Sequence, residues 1–406
     1  MKILLAHNRY QERGGEDRVV EEEGAMLSRH GHQVEFFLQD NDNIQSPVDQ
    51  LFAGLRSFYS SRSARQLDKI VRSFRPDVLH VHNFMPNLSP SVFFLAERRQ
   101  LPVVQTLHNY RMICANALLF RDGKLCEECS ETGSFLPAVQ HACYRDSHLG
   151  SAVIGGNVAL HRFLGTWDSR VDRYIALTRF TADKMASSCI PKDRIRIKPN
   201  FVADTPIGDG RGDFALFAGR LSPEKGIATL LEADNAGLLP LTVKVAGDGP
   251  LLSDMRQASA RPGSRLQVLG PVQREALQQL MRDARVLIVP SLWYEPCPMV
   301  IIEALASGLP VICSRLGGLP ELVGEEHGEL FFTPGDPSAL AIALHRFTAA
   351  DTELAPLRRA ARQRFETHFS EAENYTQLLG VYSELLPRNN TSLNSFPQQQ
   401  TSDRIV

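Results

Sequence analysis

Short apolar runs of strand length alternate with longer amphipathic stretches along the first half of the chain. The strand-like runs are residues 2–6, 33–38, 78–82 and 103–107, and the helix-like stretches between them are residues 17–30 and 64–74. In the second stretch Ala64, Leu67 and Val71 recur at helical spacing, and Arg75 and Pro76 end the pattern. Alternation of this kind predicts a parallel sheet with helices on both faces.

The same alternation restarts after residue 205. Strand-like runs lie at residues 214–218, 241–246, 266–269, 286–289 and 310–314, with helix-like stretches at 227–236 and 300–306 between them. Residues 199–212, between the two halves, are rich in Pro and Gly and are typical of a linker. We therefore predict an α/β protein of two Rossmann-like, doubly wound domains that face each other across a ligand-binding cleft.

The boundaries follow from the linker and from the last helical pattern. We expect an N-terminal domain over residues 1–203 and a C-terminal domain over residues 204–368. A terminal helix over residues 369–386 should pack back toward the N-terminal domain. The polar tail, residues 387–406, has too little apolar content to offset the entropy of ordering, so we predict that it is disordered.

Charge and hydropathy narrow the class of protein. Lys and Arg total 44 against 46 Asp and Glu, so the net charge of −2 gives no general basic field for nucleic acid. The first apolar run is too short for a secretory signal, and the longest uncharged stretch, residues 147–161, is too short to span a membrane. A cytoplasmic protein is the expectation.

The most specific motif joins a strand to a helix. It follows the strand-like run 286–289 and carries Glu295 and Glu303 on either side of a predicted helix start. A helix start after a strand presents backbone N–H groups to phosphate, and carboxylates beside it can accept hydrogen bonds from hydroxyls. Two solvent-exposed glutamates at the ends of a helix, with no ligand to bind, would give the same sequence pattern.

A second motif supports this interpretation. Gly219, Arg220 and Lys225 follow the strand-like run 214–218, where the two cations can neutralise a diphosphate. A plain helix N-cap at Ser222 would also account for this turn. Glycine-containing turns follow two further strands, at residues 246–250 and 315–321, and either of these alone is a weak signal.

In order and spacing these four turns resemble the second domain of the retaining family-4 glycosyltransferases, which have the GT-B architecture. The resemblance implies that Arg220 and Lys225 bind the donor diphosphate, Glu303 the ribose and Glu295 the transferred sugar. It also places the backbone of residues 297–300, which are Cys297, Pro298, Met299 and Val300, against the phosphate. Proline has no N–H, so Pro296 and Pro298 leave open which amides face it.

The first half resembles the family less tightly. Gly14 and Gly15 correspond to a glycine pair that faces the donor diphosphate and the acceptor, although an ordinary loop would also explain them. His108, after the strand-like run 103–107, corresponds to a histidine that lines the reacting centre. The resemblance implies a retaining transfer for which Glu295, Arg220, Lys225 and His108 are the catalytic candidates.

No cofactor is expected for catalysis, since members of this fold generally need no divalent metal. Asp40-Asn41-Asp42 has the form of a metal-binding DxD motif, but it lies in a polar loop without an accompanying sugar-binding pattern, and we interpret it as a turn. A retaining hydrolase would use a separate carboxylate nucleophile, and the sequence reveals none.

Four cysteines after His108 form a separate group. Cys114, Cys126, Cys129 and Cys143 have spacing that fits a structural zinc site, with His141 as a substitute ligand. Reduced free thiols and a disulfide are the alternatives. The insert, residues 112–145, has little apolar content of its own, which favours the metal.

Residues 51–75 suggest a surface for a lipid-linked acceptor. Six basic side chains and one acidic one follow an apolar and aromatic start that includes Leu51, Phe52, Leu55 and Tyr59. This combination suits an anionic membrane at its cytoplasmic face, and an ordinary solvated helix explains it equally well.

We therefore predict a metal-independent glycosyltransferase of bacterial polysaccharide biosynthesis. Its partners would be a nucleotide-sugar donor and a glycan or lipid-linked acceptor, with no nucleic acid. The alternatives are a sugar-nucleotide epimerase of the same architecture and a non-catalytic nucleotide-sugar-binding protein. A dinucleotide oxidoreductase is disfavoured because no G-x-G-x-x-G follows any predicted strand.

Overall fold

The computed structural model describes residues 1–9, 14–40, 54 and 56–386. The predicted disordered tail therefore lies outside the described residues, as do Asn41, Asp42, Leu51, Phe52 and Leu55. Both predicted sheets are present, and each predicted strand matches an observed strand to within one or two residues at either end.

Fourteen strands and sixteen α-helices begin and end within the part of the chain that the structure describes. The strands are β1 (Lys2–Asn8), β2 (Gln33–Gln39), β3 (Val78–Val81), β4 (Val103–Leu107), β5 (Phe120–Arg121), β6 (Lys124–Leu125), β7 (Arg173–Ala176), β8 (Ile195–Ile197), β9 (Phe214–Ala218), β10 (Thr242–Ala246), β11 (Leu266–Gly270), β12 (Val286–Val289), β13 (Val311–Ser314) and β14 (Phe331–Phe332). The helices are α1 (Gly15–Arg29), α2 (Ser61–Phe74), α3 (Ser91–Arg98), α4 (Glu128–Thr132), α5 (Leu136–Gln140), α6 (His148–Phe163), α7 (Thr166–Ser169), α8 (Arg179–Ala186), α9 (Ile227–Asn235), α10 (Leu252–Ser259), α11 (Arg274–Asp283), α12 (Met299–Ala306), α13 (Leu319–Val323), α14 (Pro337–His345), α15 (Asp351–His368) and α16 (Glu371–Ser383).

Each domain is built on one six-stranded sheet. The N-terminal sheet has the order β2-β1-β3-β4-β7-β8, and the C-terminal sheet has the order β11-β10-β9-β12-β13-β14. All pairings in both sheets are parallel. The order reverses between β1 and β3 in the first sheet and between β9 and β12 in the second, and ligands of such folds bind at that point, beyond the carboxyl ends of the strands.

The central strands are buried along their whole length because helices cover both faces of each sheet. Strands β3, β4, β9, β12 and β13 have no exposed residue. Such strands form continuous apolar runs, which explains why the hydropathy pattern located them so closely. Strands β5, β6, β7, β8 and β14 were not predicted. All of these except β7 have only two or three residues, too short for a periodic signal.

The last helix returns to the first domain. Leu378, Val381 and Tyr382 of α16 share one buried cluster with Ile3 of β1 and Ile175 of β7. The chain therefore passes between the two domains twice, once through residues 199–212 and once on its return into α16, which packs on the N-terminal domain. No helix in the described ranges has the length and apolar content to cross a bilayer.

Candidate active site

Two loops are locked together at the carboxyl edge of the C-terminal sheet, where its strand order reverses. One loop follows β9 and ends at Gly226, and the other follows β12 and begins at Pro290. Gly226 has a φ of +74°, and a Cβ atom there would lie 1.8 Å from the carbonyl oxygen of Pro290. The amide of Leu292 donates to the carbonyl oxygen of Glu224 at 2.8 Å. Only glycine allows this approach, so the sequence fixes the two loops against each other.

This packing brings Lys225 and Glu295 into contact. The Lys225 Nζ atom lies 2.7 Å from Oε2 of Glu295, whose side chain is only 4% exposed, while that of Lys225 is 24% exposed. The hydroxyl of Ser291 donates to the other carboxylate oxygen. An ammonium group has three donors, so Lys225 can neutralise Glu295 and still bind a second anion.

Gly219 and Arg220 open the first of these loops. A Cβ atom on Gly247 would lie 1.8 Å from the Gly219 carbonyl oxygen, and one on Gly249 would lie 2.5 Å from that of Leu221. The glycines after β10, considered above as a further ligand-binding turn, therefore support the loop that carries Arg220. Arg220 itself is exposed on that loop.

Helix α12 begins directly after the second loop. Its N-cap is Pro298, which donates no hydrogen bond, and Met299 and Val300 are its first two helical residues. Burial raises the pKa of the Cys297 thiol to about 12, and that side chain packs in the C-terminal core. The backbone amides that this loop can offer to an anion are thus those of Cys297, Met299 and Val300.

The N-terminus of α1 packs against the N-terminus of α12. A Cβ atom on Gly15 would lie 3.6 Å from Cγ of Met299. The amide of Gly14 donates to Oδ2 of Asp17 at 2.8 Å, which closes the start of α1. Because each helix N-terminus carries partial positive charge, the place where they meet favours an anion.

Glu303, in the second turn of α12, has a charged partner from the N-terminal domain. It forms a close ion pair with Arg18 of α1, and Arg18 Nε also lies 2.7 Å from Oε1 of Glu22. Burial alone would lower the pKa of Arg18, but Glu303 and Glu22 raise it. A carboxylate has about four acceptor sites, so Glu303 can hold Arg18 and still accept hydroxyl hydrogen bonds. Arg18 was not predicted as a site residue, although it lies one turn after the Gly14–Gly15 pair.

On the opposite wall, His108 lies directly after β4 and is hydrogen-bonded to another histidine. Its Nε2 atom lies 2.9 Å from Nδ1 of His82, and the rings are stacked. Burial, followed by the neighbouring His82, lowers the pKa of His108 well below its usual value. Burial and His80 lower the pKa of His82 to about 3. Both imidazoles are therefore neutral near pH 7, with one proton shared in a directed hydrogen bond.

A buried ionic group lies behind the histidines. Lys198 Nζ is 3.2 Å from Oε2 of Glu23, and Oε1 is 3.0 Å from His80 Nδ1 and 3.3 Å from His82 Nε2. Burial alone would raise the Glu23 pKa, but Lys198 and His80 hold it well below its usual range. Within the described ranges, Glu23, His80 and His82 are the only three potential metal ligands that all lie within 4.8 Å of one another. Lys198 already balances the charge of Glu23, so we interpret the group as a support for His108.

The histidine wall is joined to the glycine pair through two side chains. Asn109, next to His108, donates from Nδ2 to Oε1 of Glu16 at 3.2 Å, and Glu16 follows Gly15. The structure thus pairs Lys225 with Glu295 directly and places Gly15 against Met299. Arg220 and His108 lie on the loops that border these contacts.

The turn over residues 315–321 lies between the domains. A Cβ atom on Gly318 would be 2.7 Å from Oγ1 of Thr178. The carboxylate of Glu321 accepts hydrogen bonds from the amides of Arg179 and Phe180 at 2.7 and 2.8 Å, at the start of α8. This turn therefore fastens the C-terminal domain to the N-terminal one.

The cysteines of the insert are all free thiols. Cys114 is buried, and Cys126, Cys129 and Cys143 are half-buried. No three of these four described thiols lie within 4.8 Å of one another.

Two family models match the chain. A model described as "Glycosyl transferase 4-like domain" matches residues 14–200, and one described as "Glycosyl transferases group 1" matches residues 213–349. The matched ranges contain the two sheets almost completely, and they include Gly14, Gly15, His108 and the Lys225–Glu295 pair.

Several curated proteins are similar to parts of the chain. One from Bacillus subtilis, provisionally assigned as the teichuronic acid biosynthesis glycosyltransferase TuaC, is 28% identical over 68% of this chain and 62% of its own length. The amylovoran biosynthesis glycosyltransferase AmsK of Erwinia amylovora is 29% identical over 42% of this chain and 44% of its own. The chain spans less than two thirds of the length of these relatives.

Solved structures share the fold over almost the whole chain. Sucrose-phosphate synthase from Thermosynechococcus elongatus superposes with a TM-score of 0.68 at 19% identity, covering 95% of this chain and 99% of that one. Anabaena Alr3699/HepE in complex with UDP gives a TM-score of 0.66 at 18% identity, covering 95% and 100%. The predicted GT-B architecture is confirmed.

Proposed function

Because the chain belongs to the group 1 glycosyl transferases with a glycosyl transferase 4-like N-terminal domain, we propose that it moves a sugar from a nucleoside diphosphate sugar to a hydroxyl of a growing glycan. One observation carries this proposal. The contact between Lys225 and Glu295 lies at the reversal point of the C-terminal sheet, and the N-termini of α1 and α12 meet on the adjoining loops. A nucleoside diphosphate sugar carries a diphosphate next to a sugar. Its binding site therefore needs positive groups for the diphosphate and, beside them, a carboxylate that accepts hydrogen bonds from the sugar hydroxyls.

Positive groups bind the diphosphate of the donor, and carboxylates bind the hydroxyls of its sugar and ribose. Lys225, Arg220 and the amides at the start of α12 bind the diphosphate, and Glu295 accepts hydrogen bonds from the sugar hydroxyls. Glu303 accepts those of the ribose. Structures of the Anabaena neighbour contain UDP and UDP-glucose, so a uridine nucleotide is the first donor that we would test.

During sugar transfer, negative charge develops on the diphosphate that leaves. The bond between the anomeric carbon and the diphosphate oxygen breaks, and the acceptor oxygen forms the new bond on the same face, with retention of configuration. The acceptor proton passes to the departing phosphate. Preorganised positive groups stabilise the diphosphate as it leaves, and we propose that Lys225 and Arg220 supply this charge without a divalent metal.

Both site carboxylates are paired with cations, which argues against a covalent route. Glu295 is paired with Lys225, and Glu303 with Arg18. A glutamate nucleophile would have to leave such a partner before attacking the anomeric carbon. His108, neutral and held by His82, is suited to a hydrogen bond with a sugar hydroxyl at the reacting centre.

We place the acceptor at an anionic bilayer, on the cytoplasmic side, in bacterial polysaccharide synthesis. The relatives named for teichuronic acid and amylovoran support the pathway class. On the N-terminal domain, Tyr59 is 45% exposed and packs edge-on against Phe94 beside a groove lined by Arg65, Arg72, Arg98 and Arg99. Phe163, at the end of α6, is 87% exposed. Binding to vesicles that is indifferent to anionic lipid would contradict this placement.

The decisive experiment combines donor binding with turnover. UDP- and GDP-linked sugars are screened by thermal shift, and the ones that stabilise the protein are incubated with a bacterial glycolipid extract. We expect Lys225→Ala to reduce sugar transfer by about 100-fold, and Lys192→Ala, an exposed lysine on the N-terminal domain, to leave it unchanged.

Three outcomes would contradict the proposal. Sugar transfer by Lys225→Ala at the wild-type rate would remove the diphosphate assignment. Conversion of the donor without any acceptor would indicate an epimerase instead. Saturable donor binding with no product from any acceptor pool would indicate a binding protein.

A further inference from the structure

Tyr294, the residue before Glu295, belongs to the C-terminal domain but packs on the N-terminal one. Its side chain is half-buried and lies against the hydrophobic cluster that contains Tyr110 and Trp167 of the N-terminal domain. The centre of its ring lies 4.6 Å from that of Phe180, in α8. The loop that carries Glu295 is therefore anchored on the opposite domain by the side chain next to its carboxylate.

The hydroxyl of Tyr294 is held by the insert, residues 112–145. It donates to Oε1 of Glu127 at 2.8 Å. The other oxygen of Glu127 pairs with the ammonium group of Lys184 in α8, which lies 5.5 Å from the centre of the Tyr294 ring. Burial, followed by Glu127, raises the pKa of Tyr294 to about 12, so the phenol keeps its proton near pH 7. A hydrogen bond to a carboxylate is stronger than one between neutral groups, so this contact fixes the ring firmly.

The Tyr294 ring also contacts the turn over residues 315–321 of its own domain. Gly317 has a φ of +57°, and a Cβ atom there would lie 3.0 Å from Cδ1 of Tyr294. The same turn meets α8 through Glu321, which accepts hydrogen bonds from the amides of Arg179 and Phe180. The ring therefore lies in the contact between the two domains and is held from both of them.

The position of Tyr294 bears directly on that of Glu295. The amide of Glu295 donates to the carbonyl oxygen of Trp293 at 3.0 Å, so Tyr294 is the central residue of a tight three-residue turn. A rotation of the central residue in such a turn moves the residue that follows. Lys225 and Ser291 hold the Glu295 carboxylate from within the C-terminal domain, and Tyr294 adds a constraint from the N-terminal domain.

We propose that Glu127 and Tyr294 form an interdomain latch that positions Glu295 for the sugar of the donor. Both are positioning residues, since they act through the carboxylate of Glu295. When the two domains separate, the hydrogen bond between Tyr294 and Glu127 breaks, and the Glu295 loop loses its constraint from the N-terminal domain. The latch thus couples sugar binding to the arrangement of the domains. This inference rests on the proposed function for the role of Glu295.

The latch is tested first without any ligand. Of the two tryptophans, Trp167 is fully buried and Trp293, next to Tyr294, is half-buried, so acrylamide quenches mainly the fluorescence of Trp293. Tyr294→Phe removes the hydroxyl and keeps the ring. We expect it, and Glu127→Ala, to raise the quenching constant of the folded protein about twofold. Glu131→Ala, an exposed glutamate of α4, should leave it unchanged. Equal quenching in all these proteins would overturn the latch.

The positioning role is tested by comparing a nucleotide sugar with its nucleotide. The ligands are the UDP- or GDP-sugar selected by the thermal-shift screen and the matching UDP or GDP. Because Glu295 binds the sugar and Lys225 and Arg220 the diphosphate, a loosened Glu295 weakens only the binding of the nucleotide sugar. By calorimetry, its Kd should rise about fivefold in Tyr294→Phe and in Glu127→Ala, with the Kd of the nucleotide within about twofold of wild type. Equal weakening of both ligands would mean a merely structural role.

A double-variant cycle shows whether the two side chains act through one contact. If they do, Tyr294→Phe and Glu127→Ala together should weaken binding of the nucleotide sugar no more than either change alone. Glu127→Gln, which retains an oxygen that can accept from Tyr294, should stay close to wild type. Losses that multiply in the double variant would refute the latch. A wild-type protein that binds no nucleotide sugar would count against the proposed function, and the quenching result would still decide whether the latch holds the loop.

Discussion

Both sheets reverse their strand order after their first strand, but the side chains that follow the strands at this point differ between the two sheets. In the C-terminal sheet, the loops after β9 and β12 carry the partly exposed pair of Lys225 and Glu295. In the N-terminal sheet, β3 leads into His82, which is buried against Glu23 and His108. The C-terminal side carries a partly exposed pair of opposite charges, and the N-terminal side holds neutral, buried imidazoles in place. The same topology therefore supports a partly exposed charged pair in one sheet and a buried, uncharged pair of imidazoles in the other.

The largest expected effect comes from the packing beneath the C-terminal wall. Gly226→Ala would put a Cβ atom 1.8 Å from a backbone oxygen at a φ of +74°. We expect it to lower the free energy of unfolding by at least about 3 kcal/mol and to separate Lys225 from Glu295. The measurement is urea denaturation.

Gly237→Ala is the matched control for this substitution. Gly237 has a similar φ of +67° with nothing within 4 Å of the added Cβ, so it should cost only about 1 kcal/mol. Equal losses in the two variants would mean that backbone conformation, and not the contact between the loops, sets the cost.

The N-terminal wall should respond to pH. Because the pKa of folded His82 is about 3 against about 6.5 in the unfolded chain, the unfolded state binds the proton first as pH falls. The contribution of His82 to stability is complete above about pH 6.5 and is lost progressively toward pH 3. Between pH 7 and pH 5 it amounts to about 2 kcal/mol.

Denaturation at pH 7 and pH 5 measures this loss. His82→Gln should have a shallower pH dependence than wild type, by about 2 kcal/mol over that interval. His345→Gln, which replaces an exposed histidine of α14, should follow the wild type. An unchanged slope in His82→Gln would show that His82 is not the residue that resists protonation.

The smallest effect concerns the contact between the walls. Arg18→Ala removes the pair with Glu303 that joins α1 to α12, and a partly buried ion pair of this kind contributes about 1 kcal/mol. We expect the donor KM to rise about fivefold with little change in kcat. Arg274→Ala, which removes a longer contact of 3.5 Å with Glu22, should change neither. A lower KM in Arg18→Ala would instead mean that Arg18 competes with the ribose for Glu303.

The site residues of the C-terminal sheet could be predicted from the sequence, and the buried group around His82 in the N-terminal sheet could not. Lys225 and Glu295 lie on loops after strongly apolar strands, so the hydropathy pattern and the local glycines located them. His80, His82, Glu23 and Lys198 are separated by up to 175 residues, and no local pattern connects them. His108 could be predicted by resemblance, but none of the residues that support it could be.

The amino-acid sequence alone determined the two-sheet architecture and the loops that carry the cationic residues, because buried parallel strands and glycine turns leave strong local patterns. Tertiary structure alone decided that Arg18 holds Glu303, that Glu127 reaches Tyr294, and that Glu23 supports the histidines. These contacts join distant segments, and their energies depend on burial and on distances of about 3 Å. Such quantities exist only once the chain has folded.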